Sequence, residues 1–250
     1  MRLPSHLAAC VAALTVAGCG GAKGTPEAAP AAVAPSTAPS DTTGLLRVQF
    51  ARGTTSGLVD DSLGPGDIRG YLIGAEQGQV MMVHAITWTE RQGGAPQPAT
   101  VRVYSVAEGR ELTMPSGGGP LWSGRLPSSG DYAVRVSAAR PTAYTLSVQI
   151  PRRITPTPGD PTAAIAGSAP SRAPVDYIVA GESGQTLAAS VQESDAVTLH
   201  VYGLDDGRQL APLPERRRIW AGPLPATQDY VVSVVPAGEG ARYELTVTLR

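Results

Sequence analysis

Cysteine is nearly absent from this chain: Cys10 and Cys19 are the only two. Everything after them lacks both a disulfide and a thiolate metal site. Histidine is as scarce, with only His84 and His200 beyond the amino-terminal His6, and no His, Asp or Glu cluster has the spacing of a zinc site. Metal and cofactor are therefore both expected to be none. Lysine and phenylalanine occur once each, as Lys23 and Phe50, while Ala, Gly, Pro and Arg abound, a bias from which no function follows. A formal net charge of −1 over 250 residues provides no global basic field, which excludes nonspecific binding to nucleic acid or to an anionic membrane surface. No segment has the helical period of apolar residues.

What is present begins with a leader. Residues 1–18 carry Arg2 and an apolar run from Leu7 to Ala17, too short to span a bilayer and suited to a secretory signal. The run ends in Val16-Ala17-Gly18-Cys19, which resembles the lipobox of bacterial lipoproteins. That resemblance implies cleavage before Cys19 and lipidation of Cys19, and Gly20 after it implies an outer-membrane destination facing the periplasm. Several acyl chains anchor stably where one would be marginal. Residues 19–43 are rich in Ala, Pro, Ser and Thr without hydrophobic periodicity. They are expected to form a disordered tether with a reach on the order of 75 Å at polyproline extension.

The remainder reads as one unit written twice. Leu121-Trp122-Ser123-Gly124-Arg125-Leu126-Pro127 followed by Gly130-Asp131-Tyr132 returns as Trp220-Ala221-Gly222-Pro223-Leu224-Pro225 followed by Asp229-Tyr230. Gly78-Gln79 matches Gly184-Gln185, Val103-Tyr104 matches Val201-Tyr202, and the run from Tyr144 to Val148 matches that from Tyr243 to Val247. Within these stretches large apolar residues alternate with polar ones, as in strands with one buried face. In the last strand Tyr144, Leu146 and Val148 are assigned inward against Thr145, Ser147 and Gln149. Tyr132 and Tyr230 stand where a tyrosine corner of a sandwich protein would have its Tyr. Short alternating strands separated by Gly, Pro and Asp turns predict an all-β chain: two tandem antiparallel β-sandwiches, jelly-roll-like, over residues 44–150 and 151–250. Repeat one carries an insertion around Glu90 to Gln97, expected to be a surface loop.

The pattern of Gly-Gln, alternating strand, Trp-x-Gly-x-Leu-Pro, Asp-Tyr and Tyr-x-Leu-x-Val resembles the bacterial pre-peptidase C-terminal β-sandwich. Within that group, Leu46-Arg47-Val48-Gln49-Phe50-Ala51 leading to Tyr71 is similar to the inhibitors of g-type lysozyme, which are exported envelope proteins. The resemblance covers nearly all of repeat one and most of repeat two. It implies a non-enzymatic protein whose partner is a g-type lysozyme; no inhibitory loop motif is carried over residue by residue. The acidic strand start that binds metal in some pre-peptidase domains is missing here.

Candidate chemistry is sparse. Gly181-Glu182-Ser183-Gly184 lacks the glycine spacing of a nucleophile elbow, so a catalytic Ser183 is not expected. His200 alternates outward between Leu199 and Val201 and reads as exposed. The strand after Gly78-Gln79 differs most between the copies. Its core face is Met81, Val83 and Ala85, but its opposite face is Met82, His84, Ile86 and Trp88, where repeat two has Thr186, Ala188, Ser190 and Gln192. A sheet apolar on both sides needs a second cover. These four residues are interface candidates, covered by repeat two or by a binding partner, with the tethered repeat favoured. Arg216-Arg217-Arg218 is the other outlier. It reads either as an exposed edge that discourages strand pairing or as guanidinium forks for carboxylates or phosphates. The chain thus reads as a lipid-anchored envelope binding protein, with a g-type lysozyme as one partner and an envelope glycan such as peptidoglycan as the alternative.

Overall fold

The computed structural model describes residues 42–88, 98–114, 118–156, 159–192 and 196–250. Cys19 and the Glu90–Gln97 insertion lie outside the described residues. In repeat one the strands are β1 (Leu46–Arg47), β2 (Ser56–Leu63), β3 (Ile68–Ala75), β4 (Val80–Trp88), β5 (Thr100–Ser105), β6 (Arg110–Leu112), β7 (Leu121–Arg125), β8 (Gly130–Ser137) and β9 (Thr142–Gln149). Repeat two follows with β10 (Arg152–Ile154), β11 (Thr162–Ala169), β12 (Val175–Gly181), β13 (Thr186–Gln192), β14 (Val197–Gly203), β15 (Gln209–Ala211), β16 (Ile219–Pro223), β17 (Gln228–Pro236) and β18 (Ala241–Leu249).

These strands make sheets of order β1-β3-β8-β5-β6 and β2-β9-β4-β7, then β10-β12-β17-β14-β15 and β11-β18-β13-β16, so the second repeat reproduces the first strand for strand. Apart from the short β1 and β10, each repeat has the strand order of a double Greek key, the jelly-roll arrangement. The chain is thus all-β and built of sandwiches. One detail differs from a purely antiparallel reading: β1 pairs with β3, and β10 with β12, in parallel.

The repeated motifs have local causes. Gly78 and Gly184 adopt φ of 80° and 89°, a region that a side chain disfavours, and their N–H groups donate to Leu126 O and Leu224 O at 2.9 Å. Leu126 N and Leu224 N return bonds to Gln79 O at 2.8 Å and Gln185 O at 2.7 Å. Gly-Gln and Leu-Pro are therefore two halves of one clasp. In Trp-x-Gly the ring two residues back occupies the space above the glycine. A Cβ on Gly124 would lie 3.0 Å from the Trp122 ring, and one on Gly222 would lie 2.9 Å from the Trp220 ring.

Each sandwich encloses its own core. Met81, Val83, Trp122, Tyr132, Val134, Tyr144, Leu146 and Val148 pack in the first, and Leu187, Trp220, Tyr230, Val232, Tyr243, Leu245 and Val247 in the second. A buried tyrosine pair ties the two sheets in each case: Tyr71 Oη to Tyr144 Oη at 2.5 Å, and Tyr177 Oη to Tyr243 Oη at 2.7 Å. The corner tyrosines close back on their own turns, Tyr132 Oη donating to Ser128 O at 2.5 Å and Tyr230 Oη to Ala226 O at 2.6 Å.

The outward face of β9 is buried although its residues are polar. Thr145, Ser147 and Gln149 are buried at 4%, 1% and 6% exposure, whereas Glu244, Thr246 and Thr248 at the matching positions of β18 are half-buried. The pleat alternates as expected in both strands. The difference arises because the sheet of β9 is covered on both faces and that of β18 on one.

Candidate binding site at the junction of the sandwiches

The cover is repeat two itself. The outward face of the sheet β2-β9-β4-β7 lies against the outward face of the sheet β10-β12-β17-β14-β15. Val80 and Met82 from β4 cluster with Ile178 of β12, Tyr202 of β14, Val231 of β17 and Leu204, with Leu121 at the margin. Met82 is wholly buried, and removing its side chain from water contributes about 1.5–3 kcal/mol. Burial in this layer pushes the Tyr202 hydroxyl far above its ordinary range.

Beside the apolar cluster runs a polar strip. His84 Nε2 lies 2.7 Å from Asp176 Oδ2, a contact between β4 and β12. The Asp176 carboxylate is fully buried, and its second oxygen accepts from the Ser233 hydroxyl on β17. Gln149 donates from Nε2 to Pro174 O at 2.8 Å and accepts at Oε1 from Asp176 N at 3.2 Å. At one edge, Arg125 of β7 reaches Asp229 of β17 at 2.5 Å, and Arg153 holds the same carboxylate in a fork at 2.6 and 2.8 Å. The Arg153 guanidinium foremost, with Arg125 in addition, holds the Asp229 carboxyl below the usual range against the opposing effect of its burial.

His200, read from sequence as exposed, is buried at 8% exposure. Its side chain does leave the core of its own sandwich, but the face it enters is the junction. There Nε2 meets Gln209 Oε1 and the ring lies 4.7 Å from that of Tyr202. Burial, the largest influence, lowers its pKa.

The contact between the sandwiches is incomplete, and beyond the His84–Asp176 pair a cavity of about 630 Å³ opens. Among its walls are His84, Ile86, Trp88 and Leu121 from repeat one, and Arg172, His200, Leu213 and Val235 from repeat two. Ile86 and Trp88 are half-buried rather than sealed, because the apolar face of β4 runs past the end of the direct contact. The Arg172 guanidinium carbon lies 4.4 Å from the Trp88 ring centroid.

Leu213 links this cavity to the arginine run. It begins a 3₁₀ turn, Leu213–Glu215, closed by Arg216 in the left-handed region with its N–H on Leu213 O at 3.0 Å. Arg216, Arg217 and Arg218 are exposed. Their backbone is fixed, since Arg217 O accepts from Leu199 N at 2.7 Å and Arg218 O from Val191 N at 2.9 Å, which ties the segment to both sheets of its sandwich. Arg217 pairs with Glu215. The two outlying features of the sequence thus approach one cavity: Met82 and His84 within the junction, Ile86 and Trp88 on its wall, and the arginines three residues beyond Leu213.

This arrangement does not present an activated nucleophile. The Ser233 hydroxyl donates to the Asp176 carboxylate, and the imidazole of its cross-strand neighbour His200 is bonded to Gln209, so serine and imidazole are not joined as nucleophile and base. Ser183 lies in the exposed clasp turn, and its hydroxyl donates to Pro225 O at 3.3 Å. Among the described residues no group of three or more His, Cys, Asp or Glu is placed to hold a metal ion. Asp176, Ser233, Gln149 and Arg172 were not singled out by sequence. The one signal was the missing polar character opposite the core face of β4, which marked that a partner face existed but not which residues formed it.

No family model and no curated protein matches the chain. Among solved structures it is similar to PliG, a periplasmic lysozyme inhibitor of g-type lysozyme, from Aeromonas hydrophila. The identity is 19%, over 40% of this chain and 95% of that one, with a TM-score of 0.36. The PliG of Salmonella Typhimurium is 14% identical over 39% and 96% of the two chains, with a TM-score of 0.32. A mutant of the Escherichia coli PliG is 19% identical over 42% and 95%, with a TM-score of 0.29.

Proposed function

We propose that this chain is a non-enzymatic binding protein of the bacterial envelope, anchored in the outer membrane by lipid on Cys19 and facing the periplasm, and that it inhibits a g-type lysozyme. Inhibition works by occlusion: the segment from Leu213 to Arg218 occupies the enzyme's glycan cleft and offers guanidinium donors to a carboxylate there. The reading is supported by the resemblance of the run from Leu46 to Ala51 leading to Tyr71 to that inhibitor family and, in this structure, by one observation above others. Arg216, Arg217 and Arg218 are exposed on a backbone held by Leu199 and Val191, so charge is presented on a rigid support and little ordering is needed on binding. A glycan-binding role calls for an open aromatic face, and the Trp88 ring has Arg172 lying over it.

Titration of the full chain against a g-type lysozyme, with a c-type enzyme as control, tests this reading. Stoichiometric loss of g-type activity alone is expected, and replacing Arg216, Arg217 and Arg218 together by Ser is expected to weaken inhibition by at least about tenfold, as loss of a charge-assisted hydrogen bond does. Full g-type activity at micromolar excess of the chain overturns it.

A further inference from the structure

The cavity between the sandwiches is lined by both repeats, and its size, about 630 Å³, falls among those of small-molecule sites. Its walls are largely apolar, with Ile86, Leu121, Leu213 and Val235 among them. The polar side chains that reach it are His84, Thr87, Trp88, Arg172, His200 and Ser233, with no carboxylate among them. Arg172 is held in the left-handed region at φ 63° with its N–H on Gly238 O at 2.9 Å, and its guanidinium makes no ion pair or hydrogen bond among the described residues. Instead it lies over the Trp88 ring. Trp88 Nε1 is buried and has no acceptor among the described residues. The carboxylate beneath the cavity, Asp176, is already occupied by His84 and Ser233 and is shut off from solvent.

We propose that this cavity binds an organic monoanion with an apolar body, an alkyl or aryl carboxylate, with its acid group on Arg172 and its body against Ile86, Leu121, Leu213 and Val235. Charge decides the class. A cation would meet Arg172 with no carboxylate among the described lining residues to receive it, and a neutral ligand would gain nothing from the charge of the exposed guanidinium. A single guanidinium balances a single negative charge, and its fork suits a carboxylate. The aliphatic part of Arg172 and the Trp88 ring then continue the apolar wall up to the charged head. This site shares Leu213 with the arginine segment, but its acid group is held by Arg172 and its binding does not depend on lysozyme inhibition.

Isothermal titration of the full chain with octanoate and 2-naphthoate, each beside its alcohol, octanol and 2-naphthalenemethanol, tests the assignment. One equivalent of at least one acid is expected to bind at least about tenfold more tightly than its alcohol, the preference that a charge-assisted bond confers. Arg172→Gln is expected to remove that preference while leaving the alcohol's affinity and the melting temperature unchanged. Arg172→Lys is expected to keep part of it, and Leu213→Asp to weaken the acid by a similar factor through the wall. The proposal fails if neither acid binds, if each alcohol binds as well as its acid, or if Arg172→Gln leaves the preference intact.

Discussion

At the scale of single residues, position relative to the junction matters more than residue type. His200 sits beside Gln209, Tyr202, Asp176 and His84, and its burial disfavours the imidazolium. Its folded pKa lies below 6.5, so the unfolded chain takes up the proton first. The neutral ring's contribution is complete above about pH 6.5 and is lost as pH falls from there towards the folded value. Urea unfolding followed between pH 8 and pH 5 is therefore expected to show stability declining more steeply in the natural chain than in His200→Gln. Parallel profiles would refute the buried-neutral assignment. The histidine count could be read from sequence, but this behaviour could not, because it depends on which sheet covers the outward face of β14.

At the scale of elements, the repeated motifs are geometric devices and were legible for that reason. Trp-x-Gly places an indole over a residue that must have no side chain, and Gly-Gln closes the clasp that joins β4 to the end of β7 and β13 to the end of β16. Gly222→Ala would bring a Cβ to 2.9 Å from the Trp220 ring, so either the ring or β16 must shift. The expected cost is about 1–3 kcal/mol, as for other overpacked core sites, read as a lower midpoint in denaturant with unchanged slope. A midpoint equal to that of the natural chain would show that the ring has room to move. The tyrosine corners follow the same logic: each forms within four residues of sequence, Tyr132 with Ser128 and Tyr230 with Ala226.

At the scale of the two sandwiches, the described residues form four sheets, and the two outer faces differ from the pair that meets at the junction. Leu72, Tyr104 and Ala133 in repeat one occupy the positions that Ile178, Tyr202 and Val231 use in repeat two to dock on β4. In repeat one, however, Leu45 and Val106 pack on that face and Arg135 lies 5.4 Å from the Tyr104 ring centroid. At the other end Thr186, Ala188, Ser190 and Gln192 replace the apolar row of β4. The matched apolar faces that form the junction are thus not repeated at the two outer faces. Met82→Asp would bury an unpaired carboxylate at the centre of that contact, which costs several kcal/mol. Calorimetry is expected to show the single unfolding transition replaced by two, one for each sandwich. One transition at an unchanged temperature would mean that the junction contributes nothing to cooperativity.

The sequence by itself determined the class of structure, the duplication, the strand faces and the motif turns, because each of these rests on a period of two or on contacts a few residues apart. It also marked that one face of β4 could not remain in water, since Met82, Ile86 and Trp88 leave too much apolar surface exposed. Only the tertiary structure decided what lies across from that face. The pairing of His84 with Asp176 spans the two repeats, as does that of Arg125 with Asp229, and no local pattern relates residues brought together by the docking of two separately folded sheets. The cavity has the same origin. It exists because the apolar row of β4 is longer than the patch of repeat two that covers it, a mismatch of two surfaces that appears only when both are in place.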